Sequence, residues 1–251
     1  MGARALGLAG ATAVLKDEWA LMNNVGGLAG VKELSAAFAF EARPSLPGSP
    51  RLAAALSAPT KWGTAGVGMF RFGDQLYSEQ VLSAGFSNQF GIASLGLKVN
   101  YIQYRAEGYG TKTGVSLNFG GIAQLTPQVA IGAYIVNLNQ PKISTVDGEK
   151  IPTRLITGVS FKPADPILLV AEVEKDITYQ ATWKGALEYK FHNKLFARTG
   201  FNLSPNAAFF GLGFVGWRIK FDYALQYSTA FRFAYQASAS YRLQKKQAPA
   251  K

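Results

Sequence analysis

Two carboxylates stand two residues apart in the stretch LLVAEVEKD, Glu172 and Glu174. A pair of carboxyl groups on one face can divide acid and base roles, one holding a proton and the other accepting one. Side chains alternate faces along a strand, so this spacing puts both on one side of an extended segment. The only histidine, His192, sits in HNK between two segments of strand character. One imidazole cannot make a metal site alone, and a Ser-His-Asp set has only this one residue to draw on. The chain has no cysteine, which removes thiol catalysis, disulfides and thiolate metal ligands. The glycines of GLGFVGW (211–217) open no helix, so they read as strand glycines rather than a phosphate loop. Neither a catalytic set nor a metal or cofactor site emerges. The chain reads as a non-enzyme, with Glu172 and Glu174 facing cations on neighbouring strands.

The elements that would carry those cations repeat one pattern. In IKFDYALQY, Ile219, Phe221, Tyr223, Leu225 and Tyr227 share one face, and Lys220, Asp222, Ala224 and Gln226 the other. In WKGALEYKF, Trp183, Leu187, Tyr189 and Phe191 oppose Lys184, Glu188 and Lys190; in LFARTGFNL, Leu195, Ala197, Phe201 and Leu203 oppose Arg198 and Asn202. The polar parity gathers Glu172, Lys184, Glu188, Arg198, Lys220 and Asp222 into a candidate ion-pair network. Lys98, Arg154, Glu174, Lys190, Arg232 and Arg242 share that parity. With tight, symmetric turns, Glu172 faces Lys184 and Glu188 faces Arg198, close enough to pair. Charges that cannot reach water must pair. The network therefore implies a crowded, ion-paired interior rather than a wide aqueous pore.

About fourteen such segments are expected, near 33–43, 51–59, 62–73, 76–88, 91–106, 112–126, 128–140, 152–162, 166–176, 180–191, 194–204, 206–215, 217–228 and 231–243. Long connections (SLPGSPR, EGYGTKT, QPKISTVDGEKIP) alternate with short ones (TP, KPADP, HNK, the turn at Gly216), as in outer-membrane barrels. Hydrophobic residues make up 48% of the chain and charged ones only 16%, below the roughly 25% of ordinary soluble domains. No run approaches the roughly 18 apolar residues of a membrane helix. The apolar face is aromatic near strand ends, at Tyr101, Trp183, Phe191, Tyr227, Phe231 and Tyr241, which suits a membrane girdle. The expected fold is all-β, a 14-stranded antiparallel transmembrane β-barrel over 33–243, with both termini on the periplasmic side. The net charge of +11 reads as dispersed charge beside an anionic membrane surface, partly in a short basic disordered tail, 244–251. Clustered Arg and Lys interleaved with exposed aromatics are lacking, so no nucleic-acid partner is expected.

Residues 1–32 lack the two-residue period. They read either as a signal peptide, with Arg4, an apolar stretch from Ala5 to Leu15 and Ala11-Thr12-Ala13, or as an N-terminal hatch plugging the barrel. This segment resembles the start of mature PorV/PorQ-type proteins of Bacteroidetes, which belong with the fatty-acid-transporter-like (FadL-like) outer-membrane barrels. The likeness is carried by Gly2-Ala3-Arg4, Gly7-Leu8-Ala9-Gly10-Ala11, Asp17-Glu18-Trp19, Asn23-Asn24 and Gly27-Leu28-Ala29, with Val25 and Gly26 in place of the usual Pro-Ala. Ala58 to Lys61, Ala106 to Gly110, Lys150 to Arg154 and Glu172 to Asp176 extend it into the barrel. The resemblance implies a fourteen-stranded barrel with a hatch over 1–32. It marks Arg4, Asp17, Trp19, Asn23, Asn24 and Gly27 as the hatch motif, and implies a signal peptide removed before Met1.

Two functions follow from the resemblance. The first is an accessory or carrier subunit of an outer-membrane protein machine, of the type IX secretion kind, with outer-membrane or periplasmic protein partners and a lipid surround of lipopolysaccharide and phospholipid. The alternative is a channel for hydrophobic small molecules such as fatty acids, for which Leu6, Leu8, Val14, Leu15 and Trp19 could line a greasy path through the hatch. The first is the main expectation, on the strength of the mixed-charge interior.

Overall fold

The computed structural model describes residues 1–142, 150–177 and 179–243. The expected tail, 244–251, lies outside them, as does most of the QPKISTVDGEKIP loop. Fourteen strands follow one another: β1 (Leu34–Ala42), β2 (Arg51–Thr60), β3 (Gly63–Gly73), β4 (Tyr77–Phe90), β5 (Ala93–Ala106), β6 (Gly110–Gln124), β7 (Val129–Val136), β8 (Arg154–Ala164), β9 (Ile167–Asp176), β10 (Thr182–Phe191), β11 (Leu195–Leu203), β12 (Asn206–Val215), β13 (Ile219–Ser228) and β14 (Arg232–Leu243). Each pairs antiparallel with its neighbours in sequence, and β1 pairs with β14 to close the barrel. Closure leaves no unpaired edge among the strands.

Burial decides which face turns outward. Phe221 and Tyr223 are 50% and 45% exposed, whereas Asp222 and Ala224, on the opposite face, are buried. Phe38, Leu82, Leu97, Phe119, Leu169, Phe201 and Phe210 are likewise exposed on other strands. A sheet facing water does the opposite, so the outer surface is made for lipid. Exposed rings stand near both rims, with Trp62 and Trp217 at the end that carries the termini and Trp183, Tyr227 and Phe231 toward the other. No helix among the described residues is long and apolar enough to cross a membrane. The crossing elements are the strands.

The terminal end has short turns such as 61–62, 91–92 and 165–166, and the opposite end carries the longer loops 43–50 and 137–153. Most strand ends fall within two residues of the sequence expectation, the end of β7 is four residues short of it, and two of the shifts have a visible cause. β6 begins at Gly110 rather than 112, because Gly108 (φ 78°) and Gly110 (φ 80°) let β5 and β6 meet in a tight hairpin. β7 ends at Val136 rather than 140. There Asn137 has φ 59°, and the Asn139 side chain takes over the bonding of β6, accepting from Leu117 N (2.9 Å) and donating to Val115 O (2.8 Å).

Candidate functional site

A closed sheet of this strand number encloses more space than its own inward side chains fill. Here residues 1–31 occupy it. They form a short helix α1 (Ala3–Gly7) and a 3₁₀ turn (Val25–Gly30), and Leu8, Leu21 and Leu28 are fully buried. Asn24 organises the fold of this hatch. Its Oδ1 accepts from Gly26 N (3.0 Å) and caps the 3₁₀ turn, while its Nδ2 donates to Ala13 O (2.6 Å) and to Gly121 O on β6 (3.0 Å). Asn23 Nδ2 donates to Met1 O (3.0 Å). Gly27 packs so closely on the Leu15 carbonyl that no Cβ could be placed there.

Toward β1–β6 the wall that meets the hatch is made of small residues. Trp19 is buried among Ala37 and Ala39 of β1 and Ala53 and Ala55 of β2. A Cβ on Gly96 would lie 2.7 Å from Val25 O, and one on Gly85 would lie 2.8 Å from a Leu21 methyl. Gly120, and Gly132 on the neighbouring β7, are pressed more closely still, by Asn24 Oδ1 and Ala13 O. At Gly96 and Gly132 hatch backbone touches the barrel directly, and at Gly85 and Gly120 hatch side chains take the space a Cβ would fill.

Toward β9–β14 the wall is charged. Register sets Glu172 opposite Lys184 and Glu188 opposite Arg198. Arg4 reaches across from the hatch with a two-pronged grip on Glu188 (2.9 and 2.8 Å) and a third bond to Asp17 (3.0 Å). Glu188 also accepts from Arg198 Nε (2.6 Å), whose Nη1 donates to Asp222 (2.8 Å). Lys220 stands 3.6 Å from Asp222 and 3.1 Å from Glu18, which also accepts from Ser240 Oγ (2.9 Å). The result is an unbroken belt, Asp17–Arg4–Glu188–Arg198–Asp222–Lys220–Glu18, alternating in sign and starting and ending on the hatch. A second cluster joins Lys184 to Glu172 and Glu174 (2.8 Å each), and Glu174 to Arg154 (2.8 Å). Its Glu172 holds hatch backbone, accepting from Thr12 N and Ala13 N at 2.7 Å each. Sequence parity does not reveal that role, nor the part of Glu18, because the hatch carries no period to register against the strands. All six hatch-motif residues and all six network residues lie in or against this plug.

The hatch divides the lumen into two chambers. The loop-side chamber, about 680 Å³, is lined by hatch residues Leu6, Gly10 and Met22 and by Phe70, Val81, Lys98, Asn100, Ile102, Asn118, Val136 and Glu174 of the wall. The terminal-side chamber, about 510 Å³, is lined by Lys16, Glu18, Lys32, Arg198, Lys220 and Arg242 among others. The greasy path expected through the hatch is corrected by this geometry. Leu8 and Leu15 pack on Ala5 and Ala186, Val14 on Leu168 and Val170, and Trp19 on the alanine wall. They seal hatch to barrel, and of the five only Leu6 lines the loop-side chamber. Among the described residues, no three metal-ligating side chains gather.

The sequence matches no protein-family model and no curated protein. Solved structures match over nearly its whole length. They include the CymD monoaromatic hydrocarbon channel (TM-score 0.74, 14% identity, 98% of each chain), the Ralstonia pickettii toluene transporter TbuX (0.75, 14%, 97% of this chain and 98% of that one) and the Pseudomonas putida toluene transporter TodX (0.68, 13%, 96% and 97%). At this identity the likeness defines the fold: a closed, fourteen-stranded barrel of the FadL-like kind. It also overturns the main functional expectation. The structures that this chain matches from end to end are described as channels and transporters for small hydrocarbons, not as subunits of a secretion machine.

Proposed function

We propose that the chain is a hatch-plugged channel of the bacterial outer membrane that takes up a small, largely apolar molecule. The observation that carries this reading is the loop-side chamber. It lies between the longer loops and the hatch, and its volume falls within the roughly 300–1,000 Å³ of small-molecule sites. Phe70, Val81, Ile102 and Val136 give it apolar wall. The lipid-facing band of exposed aromatic and aliphatic side chains supports a setting in phospholipid and lipopolysaccharide. The likeness of the N-terminal segment to PorV/PorQ-type proteins is kept as kinship of sequence within this fold, without the secretion role. The cargo passes unchanged: His192 is exposed in a turn, and the paired carboxylates Glu172 and Glu174 are engaged by Lys184 and the hatch backbone.

Uptake tests the reading. Cells whose own hydrophobic uptake barrels are deleted and whose outer membrane displays the folded chain should accumulate radiolabelled toluene several times faster than cells with an empty vector. Equal initial rates, with the folded barrel shown in the outer membrane, refute it.

A further inference from the structure

Lys98, on β5, lines the loop-side chamber and is only 6% exposed, yet it has no ion pair or hydrogen bond with any described residue. On the β9–β13 wall, by contrast, Lys184, Arg198 and Lys220 each have a carboxylate partner. The surroundings of Lys98 make its isolation informative. Asn100 follows it on the same face, and Asn118 stands directly opposite on β6. Asn100 Oδ1 accepts from Ser83 Oγ (2.7 Å), and Asn118 Oδ1 accepts from Asn137 N (3.0 Å). Both amide oxygens are thus committed to the protein, and both Nδ2 groups have no acceptor among the described residues. Both asparagines are 5% exposed and line the same chamber. One ammonium and two amide NH₂ groups therefore line one part of the chamber wall with donors to offer.

Among the described residues, no carboxylate of the chamber answers them. Glu174 is taken by Lys184 and Arg154, and Glu41 by Arg43 and Arg51. Glu79 pairs in register with Tyr104. That is six residues along β5 from Lys98, a distance of roughly 20 Å at the rise of a strand. We infer that Lys98, Asn100 and Asn118 form an anion site for a single carboxylate carried on a small apolar body. One positive charge suits one negative charge. Val81, Ile102, Val136 and the hatch side chains Leu6 and Met22 line the rest of the chamber and would take the body. The inference deepens the channel reading and rests on it: the chamber that admits neutral apolar molecules also holds an apolar organic acid.

Benzoate and benzamide share a ring and nearly a shape, and differ in charge. Equilibrium dialysis of the full chain in detergent should show benzoate bound roughly ten- to a hundredfold more tightly, the range for a hydrogen bond to a charged group. Lys98→Met should erase that difference, through a loss of benzoate affinity far larger than any change for benzamide. Lys98→Gln, checked by melting temperature, should do the same if the Met variant folds poorly, and Lys98→Arg should keep the preference. Equal binding of the two probes, or a preference that survives both neutral variants, overturns the site. Chloride competing as strongly as benzoate also overturns it, since the organic body then contributes nothing. A failed preference with toluene uptake intact sinks the anion site alone. Failed toluene uptake with the preference intact supports the site and sinks the hydrocarbon channel.

Discussion

The hatch meets two different walls. Toward β1–β6 it touches backbone and methyl groups, with Trp19 set among four alanines and Val25 against Gly96. Toward β9–β14 it touches charges, through Arg4 on Glu188, Glu18 on Lys220 and two amides on Glu172. The small-residue wall works by fit. Its contacts have no slack, because a glycine in contact with backbone leaves nothing to rearrange. The charged wall works by balance. Its belt has four carboxylates and three cations, each with more than one neighbour except at the ends, so a loss at one point is partly shared along it. Breaking each wall in turn should therefore give different responses.

The largest effect is expected in the charged wall. Arg198 has a 1% exposed side chain and links Glu188 to Asp222. Arg198→Met leaves buried carboxylates short of a cation, at a cost of roughly 3–5 kcal/mol. Glu188 keeps Arg4, so Asp222 is the group left worst served. Adding Asp222→Asn returns the belt to one excess negative charge and should recover part of the loss, since Lys220 still has Glu18. Melting temperatures of the single and double variants in detergent measure both changes. If Arg198→Met leaves melting untouched and ion conductance appears in planar bilayers, the lumen is wet and the belt is not what holds the hatch.

The small-residue wall should respond less in stability and differently in kind. Gly96→Val places a side chain where Val25 O now lies, and overpacking of this sort costs about 1–3 kcal/mol. No second substitution on the barrel should rescue it, because the obstacle is hatch backbone. Displacement of the hatch should show as protease sensitivity of residues near Val25. A Gly96→Val barrel with full melting temperature and a protected hatch contradicts the close fit.

These walls also differ in how far the sequence discloses them. The charged wall is legible: Lys184, Glu188, Arg198, Lys220 and Asp222 share the inward parity, and tight hairpins set their register. So is the closed barrel, since apolar alternation with outward aromatics has few other readings. The small-residue wall is not. Ala37, Ala39, Gly85 and Gly96 break no pattern and carry no charge. Their meaning lies in a segment that folds against them from far away in sequence. The Lys98 site is hidden for a related reason. Parity places Lys98 inside, but only the asparagine hydrogen bonds show that it lacks an acceptor. In sequence alone a mixed-charge interior reads as a sealed support. Here those charges hold the hatch to one side of the wall, and the loop-side chamber lies above it.

The smallest effect is expected outside both walls. Asp165, in the turn between β8 and β9, bonds Lys190 at 2.5 Å, and its side chain is 86% exposed. The hydrogen bond and charge of Lys190 hold its carboxyl below the usual range for an aspartate. A carboxyl depressed in the folded state adds stability above its unfolded pKa and loses it as the pH falls through the folded value. The sign therefore favours the barrel at neutral pH. Water screens an exposed pair, however, and most such pairs contribute little. Asp165→Asn should leave the melting temperature at pH 7 unchanged within error, and leave its decline toward acid pH unchanged as well. The same ion-pair chemistry would then be decisive beside the hatch and silent at the rim, with burial as the only difference. A clear loss of stability in Asp165→Asn would mean that rim turns help hold the barrel closed, and that the contrast between the two inner walls is not the main determinant of its stability.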